Sequence, residues 1–397
     1  MVKITKYLGQ PLFTFKIILL LLITSVVGLA NQKNVDFGKK NANLSDSLES
    51  IKICKWKDGA KTCVNFSFDD GLPSFRRISQ VFDLYNFKAS FFIIATTIQI
   101  DSIKDIYARG HEIASHSYSH PLFEVLDSSQ IEYQIRKGKE VLENVLGVKC
   151  VTFGEPGNFR SQSCKAIAFK QHLFVRHYSE YDDINRIELD LQPKNLTLVI
   201  PTMLNGIAKG TIVEFVAHSI NGEGFSPINE TLLMQQLDLI RSYSNNGDIW
   251  VTTCKEGFCY ENLYHEISLN KMVTGDTLKI NFQNYNREKY ADLDASNLSI
   301  EIPFSTATDL KCLTNFVGIK KLSDKFVLTT DLKRDTTLII ILNKPIFSYQ
   351  GVQKNTKKDY LTEENRLLNY NIFNNDSLQD IFFISRKKIF ANELYQN

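Results

Sequence analysis

The middle of the chain alternates between short apolar runs and longer stretches that carry apolar residues on one face. The short runs predict eight strands, at residues 63–68, 89–95, 111–115, 151–153, 173–178, 196–200, 211–217 and 249–253. The one-sided stretches predict helices at residues 75–85, 103–109, 128–146 and 229–243. Strands that alternate with helices indicate parallel βαβ units, so we expect an α/β fold with a parallel sheet or barrel.

The pattern changes after residue 265, where only strand-like segments follow. Runs at residues 278–282, 298–302, 326–330 and 337–342 are separated by polar turns. They predict a small all-β, sandwich-like domain over residues 265–345, which follows an α/β domain over residues 51–262. Residues 346–397 are polar and rich in Asn and Lys, and we leave this tail unassigned.

The N-terminus has the pattern of a targeting segment. Lys3, Lys6 and Lys16 precede an apolar run, and small residues follow up to Ala30. This order predicts a secretory signal peptide over residues 1–30, and therefore a secreted, periplasmic or cell-surface protein. The alternative is an uncleaved membrane anchor, because the run approaches the shortest length of a membrane helix. Residues 31–50 are polar and predict a linker.

Composition and charge exclude some classes of protein and leave others open. The 397 residues include 46 basic and 44 acidic side chains, for a net charge of +2, and 43% of them are hydrophobic. Such a chain is neither wholly disordered nor fibrous. The balanced charge argues against a nucleic-acid partner. The partner must therefore be inferred from individual residues.

Six of the seven cysteines fall into pairs that are close in sequence. Cys54 and Cys63 flank the Asp-Gly pair at 58–59, which predicts a two-residue hairpin with the two cysteines opposite each other and linked by a cross-strand disulfide. Pairs at 254 and 259 and at 150 and 164 could close small loops, and Cys312 is left over. Free, buried thiols throughout are the alternative, because connectivity cannot be deduced from sequence. Disulfides would agree with export.

Three groups of titratable residues follow predicted strands. Asp69 and Asp70 come directly after strand 63–68, His116 and His120 follow strand 111–115, and His218 follows strand 211–217. The carboxyl ends of barrel strands are where such folds place catalytic residues. Two histidines four residues apart lie on one face of a helical turn and can share a metal. Taken singly, the Asp pair could instead close the strand as an Asx turn, and a solvated or capping pair explains His116 and His120 about as well. A structural histidine is the better explanation of His218 alone.

Taken together, these segments resemble the polysaccharide deacetylase family, also called the NodB-homology or carbohydrate esterase 4 family. The resemblance covers about residues 60–260 and rests on SFDDG at 67–71, GHEIASHSYSHP at 110–121 and VAH at 216–218. FKASFF at 87–92 and DIWVTT at 248–253 also look like strands of this family. The resemblance implies a distorted (β/α) barrel that removes acetyl groups from amino sugars with the help of a metal.

The resemblance also implies roles for individual residues. Asp70, His116 and His120 would hold a divalent metal, most often zinc. A metal-bound water would attack the acetyl group, with Asp69 as the general base and His218 as the general acid. The expected partner is an acetylated carbohydrate of the chitin or peptidoglycan type.

The third motif of the family departs from its usual form. The family has Arg-x-Pro-Tyr-Gly, whereas this chain has GEPGN at 154–158, so that Gly154 stands in the place of the arginine. Arg160 or Arg176 could substitute for it. Glu155 beside the metal would raise the pKa of the base, and a backbone N–H near Gly157 would stabilise the oxyanion. The fourth motif has no clear match.

These departures leave two other functions open. One is a carbohydrate-binding protein that keeps the fold and the metal but has little or no turnover. The other is an esterase that removes O-acetyl groups with the same metal. His111 matches a family position that holds no metal, and we interpret it as structural.

Overall fold

A computed structural model of the chain describes residues 48–158, 161–176, 178, 181, 184–189, 197–222, 224–225, 227–304, 306–307 and 309–343. The parallel strands are β2 (Thr62–Phe68), β3 (Ser90–Ile93), β4 (Glu112–Ser115), β5 (Thr152–Phe153), β6 (Phe174–Val175), β7 (Asn185–Glu188), β8 (Ile212–Ala217) and β9 (Ile249–Thr252). The helices are α1 (Phe75–Leu84), α2 (Ile100–Ala108), α3 (Ser128–Leu146), α4 (Gln162–Gln171), α5 (Val199–Lys209), α6 (Glu230–Asn245) and α7 (Cys254–Glu266).

The parallel strands form one sheet in the order β6-β5-β4-β3-β2-β8-β7. Strand β2 is central: it pairs with β8 from Cys63 to Phe68, while its opposite side pairs first with β9 and then with β3. Because strands alternate with helices and all pairs are parallel, the expected fold of a distorted (β/α) barrel is confirmed.

The core of this barrel is aromatic. Every residue of β2 is buried, and the ring of Phe66 lies 5.1 Å from that of Phe82 on α1 and 4.9 Å from that of Phe215 on β8. Aromatic rings at these separations contribute beyond the area that they bury. The strand ends that carry the candidate site are therefore anchored in a rigid core.

The remaining strands form two four-stranded antiparallel sheets, which confirms the expected all-β region. The first contains β1 (Lys52–Ile53), β12 (Asn297–Pro303), β15 (Lys325–Asp331) and β14 (Gly318–Lys321), in that order. The second contains β10 (Ser268–Thr274), β11 (Thr277–Gln283), β16 (Thr337–Asn343) and β13 (Asp309–Cys312). All described residues fall within one compact unit, and the proposed domain boundaries stay a prediction.

A shared hydrophobic cluster connects these sheets with α7. It includes Trp56 from the segment after β1, Tyr260 and Leu263 from α7, and Leu298 and Leu328 from the antiparallel sheet. Tyr260 also donates a hydrogen bond from its hydroxyl to the carbonyl of residue 54, at 3.0 Å. The antiparallel region is thus packed against a helix of the α/β region.

The prediction of a strand at 196–200 is wrong, because α5 begins at Val199. The apolar run there is rich in β-branched residues, which favours a strand. Pro201 in the first turn and Gly210 at the C-cap, with φ of 70°, both favour a helix, and the helix forms despite the β-branched residues. Helices α4 and α7 and strand β7 were not predicted.

The predicted hairpin at Asp58-Gly59 and the predicted disulfide between Cys54 and Cys63 are also wrong, and neither of the two other possible pairs forms. Both turn residues have positive φ, 57° and 79°, so the turn forms, but the flanking segments enter different sheets: β1 pairs with β12 and β2 with β8. Cys254 and Cys259 lie on the same helix, five residues apart, and point in different directions. All seven cysteines are free.

The predicted signal peptide, residues 1–30, and the linker up to residue 47 lie outside the described residues, as does the tail from residue 346. Within the part of the chain that is described, no helix has the length and apolar character needed to cross a bilayer.

Candidate metal and catalytic site

The strand register brings the candidate residues to one edge of the parallel sheet. Phe68 pairs with Ala217, so Asp69 and His218 are the next residues on adjacent strands. Ser115 pairs with Phe153 and Phe153 pairs with Val175, which places residues 116, 154 and 176 side by side. The backbone continues this register, because residue 154 donates to the carbonyl of 115 at 2.9 Å and residue 176 to that of 153 at 2.8 Å.

Asp69 forms a buried, two-point ion pair with Arg176. The two terminal nitrogens of the guanidinium donate to separate carboxylate oxygens, at 2.5 and 2.7 Å. The side chain of Arg176 is fully buried and that of Asp69 is 6% exposed. Burial alone would raise the pKa of Asp69, but Arg176, His116 and His218 outweigh it and hold this pKa well below its usual range. Asp69 is therefore ionised and fixed in orientation.

Asp70, His116 and His120 converge in the way that a metal site requires. One ligand atom from each lies within 4.8 Å of the others, and both imidazole Nε2 atoms are 3.7 Å from Oδ1 of Asp70. That oxygen is buried and has no hydrogen-bond partner among the described residues. Burial raises the pKa of Asp70, and the nearby His218 opposes this shift.

The protonation state of His116 also suits a metal ligand. Its Nδ1 lies 2.9 Å from the carbonyl oxygen of Gly154, an arrangement in which Nδ1 carries the proton and Nε2 keeps its lone pair for an ion. Burial lowers the pKa of His116 to about 3, against the opposing attraction of Asp69. The imidazole is thus neutral, as metal ligation demands.

The two histidines do not lie on a helical turn, so that part of the prediction is wrong. Residues 116–122 form an irregular loop after β4, with positive φ at Ser117 and His120, 69° and 55°. The backbone of this loop is anchored to α3, because the N–H of Tyr118 donates to the carbonyl of Gln134 at 2.9 Å. Asp70 also has positive φ, 83°. Strained backbone of this kind is often found at functional sites.

His218 is half-buried at the end of β8, and its charge acts on both carboxylates, Asp69 and Asp70. Its ring meets that of Phe225 edge to face, with centroids 5.1 Å apart. Phe225 is 56% exposed and stands at the rim of the site. No feature of the sequence distinguished Phe225 in advance.

Arg176 takes the place of the arginine that the third motif lacks. A Cβ atom built on Gly154 would lie 2.7 Å from the Phe92 ring and 3.1 Å from the guanidinium carbon of Arg176. The absence of a side chain at residue 154 therefore makes the room in which Arg176 stacks on Phe92, 4.1 Å from the ring centroid. Of the two substitutes considered, Arg160 lies outside the described residues.

Two expectations concern the third motif: a raised pKa of the base and an oxyanion donor near Gly157. The upward pKa shift expected for the base is wrong, because Arg176 outweighs the effect of burial and lowers the pKa of Asp69. Glu155 is buried, 1% exposed, and its charge helps to raise the pKa of the Cys164 thiol, after burial itself. Gly157 is exposed with φ of 62°. Its role as an oxyanion donor stays a prediction.

His111 has the environment of a structural residue. Its Nδ1 accepts the backbone N–H of Ala89 at 3.1 Å, and its Nε2 lies 3.1 Å from a carboxylate oxygen of Asp83. Both ring nitrogens are thus used within the fold, and neither points to the metal cluster.

Comparison with known proteins agrees with the motifs. Residues 57–172 match the family model described as polysaccharide deacetylase. Chitin deacetylase 1 of Cryptococcus neoformans var. grubii is 26% identical over 126 residues, which cover 31% of this chain and 27% of that protein. The peptidoglycan-N-acetylglucosamine deacetylase of Bacillus cereus is 32% identical over 92 residues, 22% of this chain and 33% of that protein.

A crystal structure of a Mycobacterium smegmatis protein described as a polysaccharide deacetylase is 18% identical and covers 52% of this chain and 92% of that one, with a TM-score of 0.42. The chain spans about a third or less of the length of the two curated relatives. The resemblance to the polysaccharide deacetylase family is confirmed over the matched segment, residues 57–172.

Proposed function

We propose that this chain is an exported, metal-dependent hydrolase that removes N-acetyl groups from amino-sugar polymers or oligosaccharides. The observation that carries the proposal is the cluster of Asp70, His116 and His120 within 4.8 Å, next to the ionised Asp69. The names of the relatives, a chitin and a peptidoglycan deacetylase, support this substrate class. Export rests on the signal pattern of residues 1–30.

The three side chains fit a divalent metal, with zinc as the first choice. Two neutral imidazoles and one carboxylate are a frequent set of ligands at catalytic zinc sites, which keep a position open for water or substrate. His120 is 34% exposed and Asp70 is 23% exposed, so the cluster faces solvent on one side. When bound, the metal would polarise the acetyl carbonyl and make a water molecule more acidic.

Asp69 is the base in this mechanism. Its carboxylate accepts the proton of the attacking water, whose oxygen adds to the acetyl carbon. The guanidinium of Arg176 keeps Asp69 ionised in a buried site and fixes the direction of its free lone pairs. Arg176 is thus a positioning residue, because it acts through Asp69 and touches no reacting atom.

His218 is the acid. It donates a proton to the amide nitrogen as the C–N bond breaks, so that the amino sugar leaves as a neutral amine and acetate remains. Its place beside Asp69 follows from the register of β2 and β8. The base and the acid therefore stand on adjacent strand ends, with the metal cluster beside them.

The test is acetate release from N-acetylated chito-oligosaccharides by the full chain, first without metal and then with zinc. We expect zinc-dependent release, no release by Asp69→Asn with zinc still bound, and loss of zinc binding by Asp70→Ala. Asp101→Asn, at an exposed position on α2, is the matched control and should behave as the parent. If no acetate is released while one zinc per chain is bound, N-deacetylation of this substrate class is refuted. Release from O-acetylated xylan would then indicate an esterase.

A further inference from the structure

A cavity lies beside β6, the strand at one end of the order of the parallel sheet. Its volume is about 380 Å³, within the range of small-molecule sites. The residues that line it include Lys165, Phe169, His172, Phe174, Phe258 and Asn262. None of its lining residues belongs to the candidate metal site.

The polar centre of the cavity is His172, directly after α4. This side chain is buried, 3% exposed. The carbonyl of Ala168 acts on one of its ring nitrogens as a hydrogen-bond acceptor, but neither nitrogen has a partner of good hydrogen-bond geometry among the described residues. A buried polar group without a partner is destabilising, so such groups nearly always have one. At least one ring nitrogen is thus available to a molecule that enters the cavity, which His172 lines.

The charge state of His172 restricts the chemistry of that molecule. Burial lowers the pKa of His172 well below its ordinary value, and Lys139 adds to this shift. A neutral imidazole has one nitrogen that donates and one that accepts. A hydroxyl group can satisfy either, and two neighbouring hydroxyls can satisfy both.

Aromatic rings form much of the rest of the wall. The rings of Phe174 and Phe258 are 6.1 Å apart, and the ammonium group of Lys165 lies 4.9 Å from the centre of the Tyr178 ring. Phe258 and Asn262 are four residues apart on α7 and so share one face of that helix. Apolar rings with a few fixed polar groups suit the apolar faces and the hydroxyls of a sugar.

Charges around the cavity are mixed. Lys165 and Lys289 line it together with Glu261, and Lys289 is already paired with Glu266 at 2.5 Å. A neutral ligand therefore fits better than an anion or a cation. Lys165, Phe169 and Asn262 are only half-buried, so the cavity can be reached from solvent.

We propose that this cavity is a second carbohydrate site, which holds a neutral sugar residue through hydroxyl groups hydrogen-bonded to His172. The site would keep an amino-sugar chain on the protein without taking part in hydrolysis. The substrate class rests on the proposed function, whereas the site itself rests on the cavity and His172.

The test is the binding of N,N′-diacetylchitobiose to the full-length, zinc-loaded protein that carries Asp69→Asn, so that the disaccharide is not consumed. Calorimetry reports the number of sites, and the ¹⁵N ring signals of the histidines report where the sugar lies. We expect two sites, with the ring signals of His172 shifted. His172→Phe should remove one site. Phe169→Ala, at a half-buried position on the rim, should weaken that site roughly tenfold, as the loss of about 1.4 kcal/mol would. Phe316→Ala, at a phenylalanine that is 44% exposed elsewhere, is the matched control and should change nothing.

The proposal is overturned if the His172 signals do not move, or if Phe169→Ala and His172→Phe bind the sugar as the parent does. Phe169→Ala keeps the test valid if His172→Phe fails to fold. Acetate release by the protein with Asp69 intact is measured separately. Release without binding at His172 refutes only the second site, and binding at His172 without release refutes only the deacetylase.

Discussion

Replacing Arg176 with Gln tests the ion pair on which the site depends. The substitution removes a cation whose two terminal nitrogens both contact Asp69, at 2.5 and 2.7 Å, and leaves that carboxylate buried with no charge partner of equal strength. Breaking a buried pair by removing one member costs about 3–5 kcal/mol, because the other charge stays in a poorly solvated place. At about 2–4 °C per kcal/mol for domains somewhat smaller than this one, Tm should fall by roughly 6–20 °C.

Thermal and urea denaturation of four proteins measures this effect: the parent, Arg176→Gln, Asp69→Asn and the double variant. The interaction free energy from this cycle should be about 2 kcal/mol or more, because residues in direct contact are not additive. The control is Arg136→Gln, which breaks an exposed i,i+4 pair with Glu140 on α3 and should cost about 0.5 kcal/mol or less. Additive effects in the cycle, or equal losses for the two arginines, would refute the assignment of Arg176.

Three further predictions concern the surroundings of the site. Gly138→Ala should lower both stability and zinc affinity, since a Cβ atom there would lie 2.6 Å from the backbone carbon of Ser117; calorimetric zinc titration and thermal denaturation check this, and an unchanged protein would contradict it. Burial lowers the pKa of His111 to about 4 against the attraction of Asp83. Between about pH 6.5 and 4, His111 is therefore protonated in the unfolded state but neutral in the folded state. The unfolding free energy should therefore fall by up to about 3 kcal/mol between pH 6.5 and 4, and His111→Gln should flatten that slope in urea titrations; parallel slopes would count against it. Thiol titration of the protein denatured without reductant should give seven thiols, as expected from seven free cysteines, whereas five or fewer would indicate a disulfide.

Much of the α/β region could be predicted from local signals alone. Helix α3 has the predicted bounds, Ser128–Leu146, because Asp127 and Gln130 form a capping box at its start and Gly147 ends it with φ of 73°. Strand β2 was found because four of the six residues at 63–68 are apolar, as is typical of a strand that is buried on both faces. The five residues that converge on the site were also marked in the sequence by their positions after predicted strands.

Elements whose state depends on distant partners could not be predicted. The Asp58-Gly59 turn forms as its sequence demands, but only sheet pairing decides that its two sides join β12 and β8. The run at 196–200 favours a strand locally. Helix α5 forms instead, because its buried residues, among them Val199 and Met203, pack against the sheet. Helix α7 was not predicted, because it is buried on most sides and so lacks a one-sided apolar pattern.

The sequence by itself determined which residues we propose for the chemistry: the paired aspartates, the two spaced histidines and the histidine after β8. Reacting groups and metal ligands must be particular residue types, so they leave a readable pattern. Only the tertiary structure decided that Arg176 supports Asp69, since the guanidinium comes from the end of β6, which is separated from β2 by three strands in the sheet order, into space left by Gly154 directly after β5. A supporting charge needs only the right position in space, and several places in the sequence can supply it.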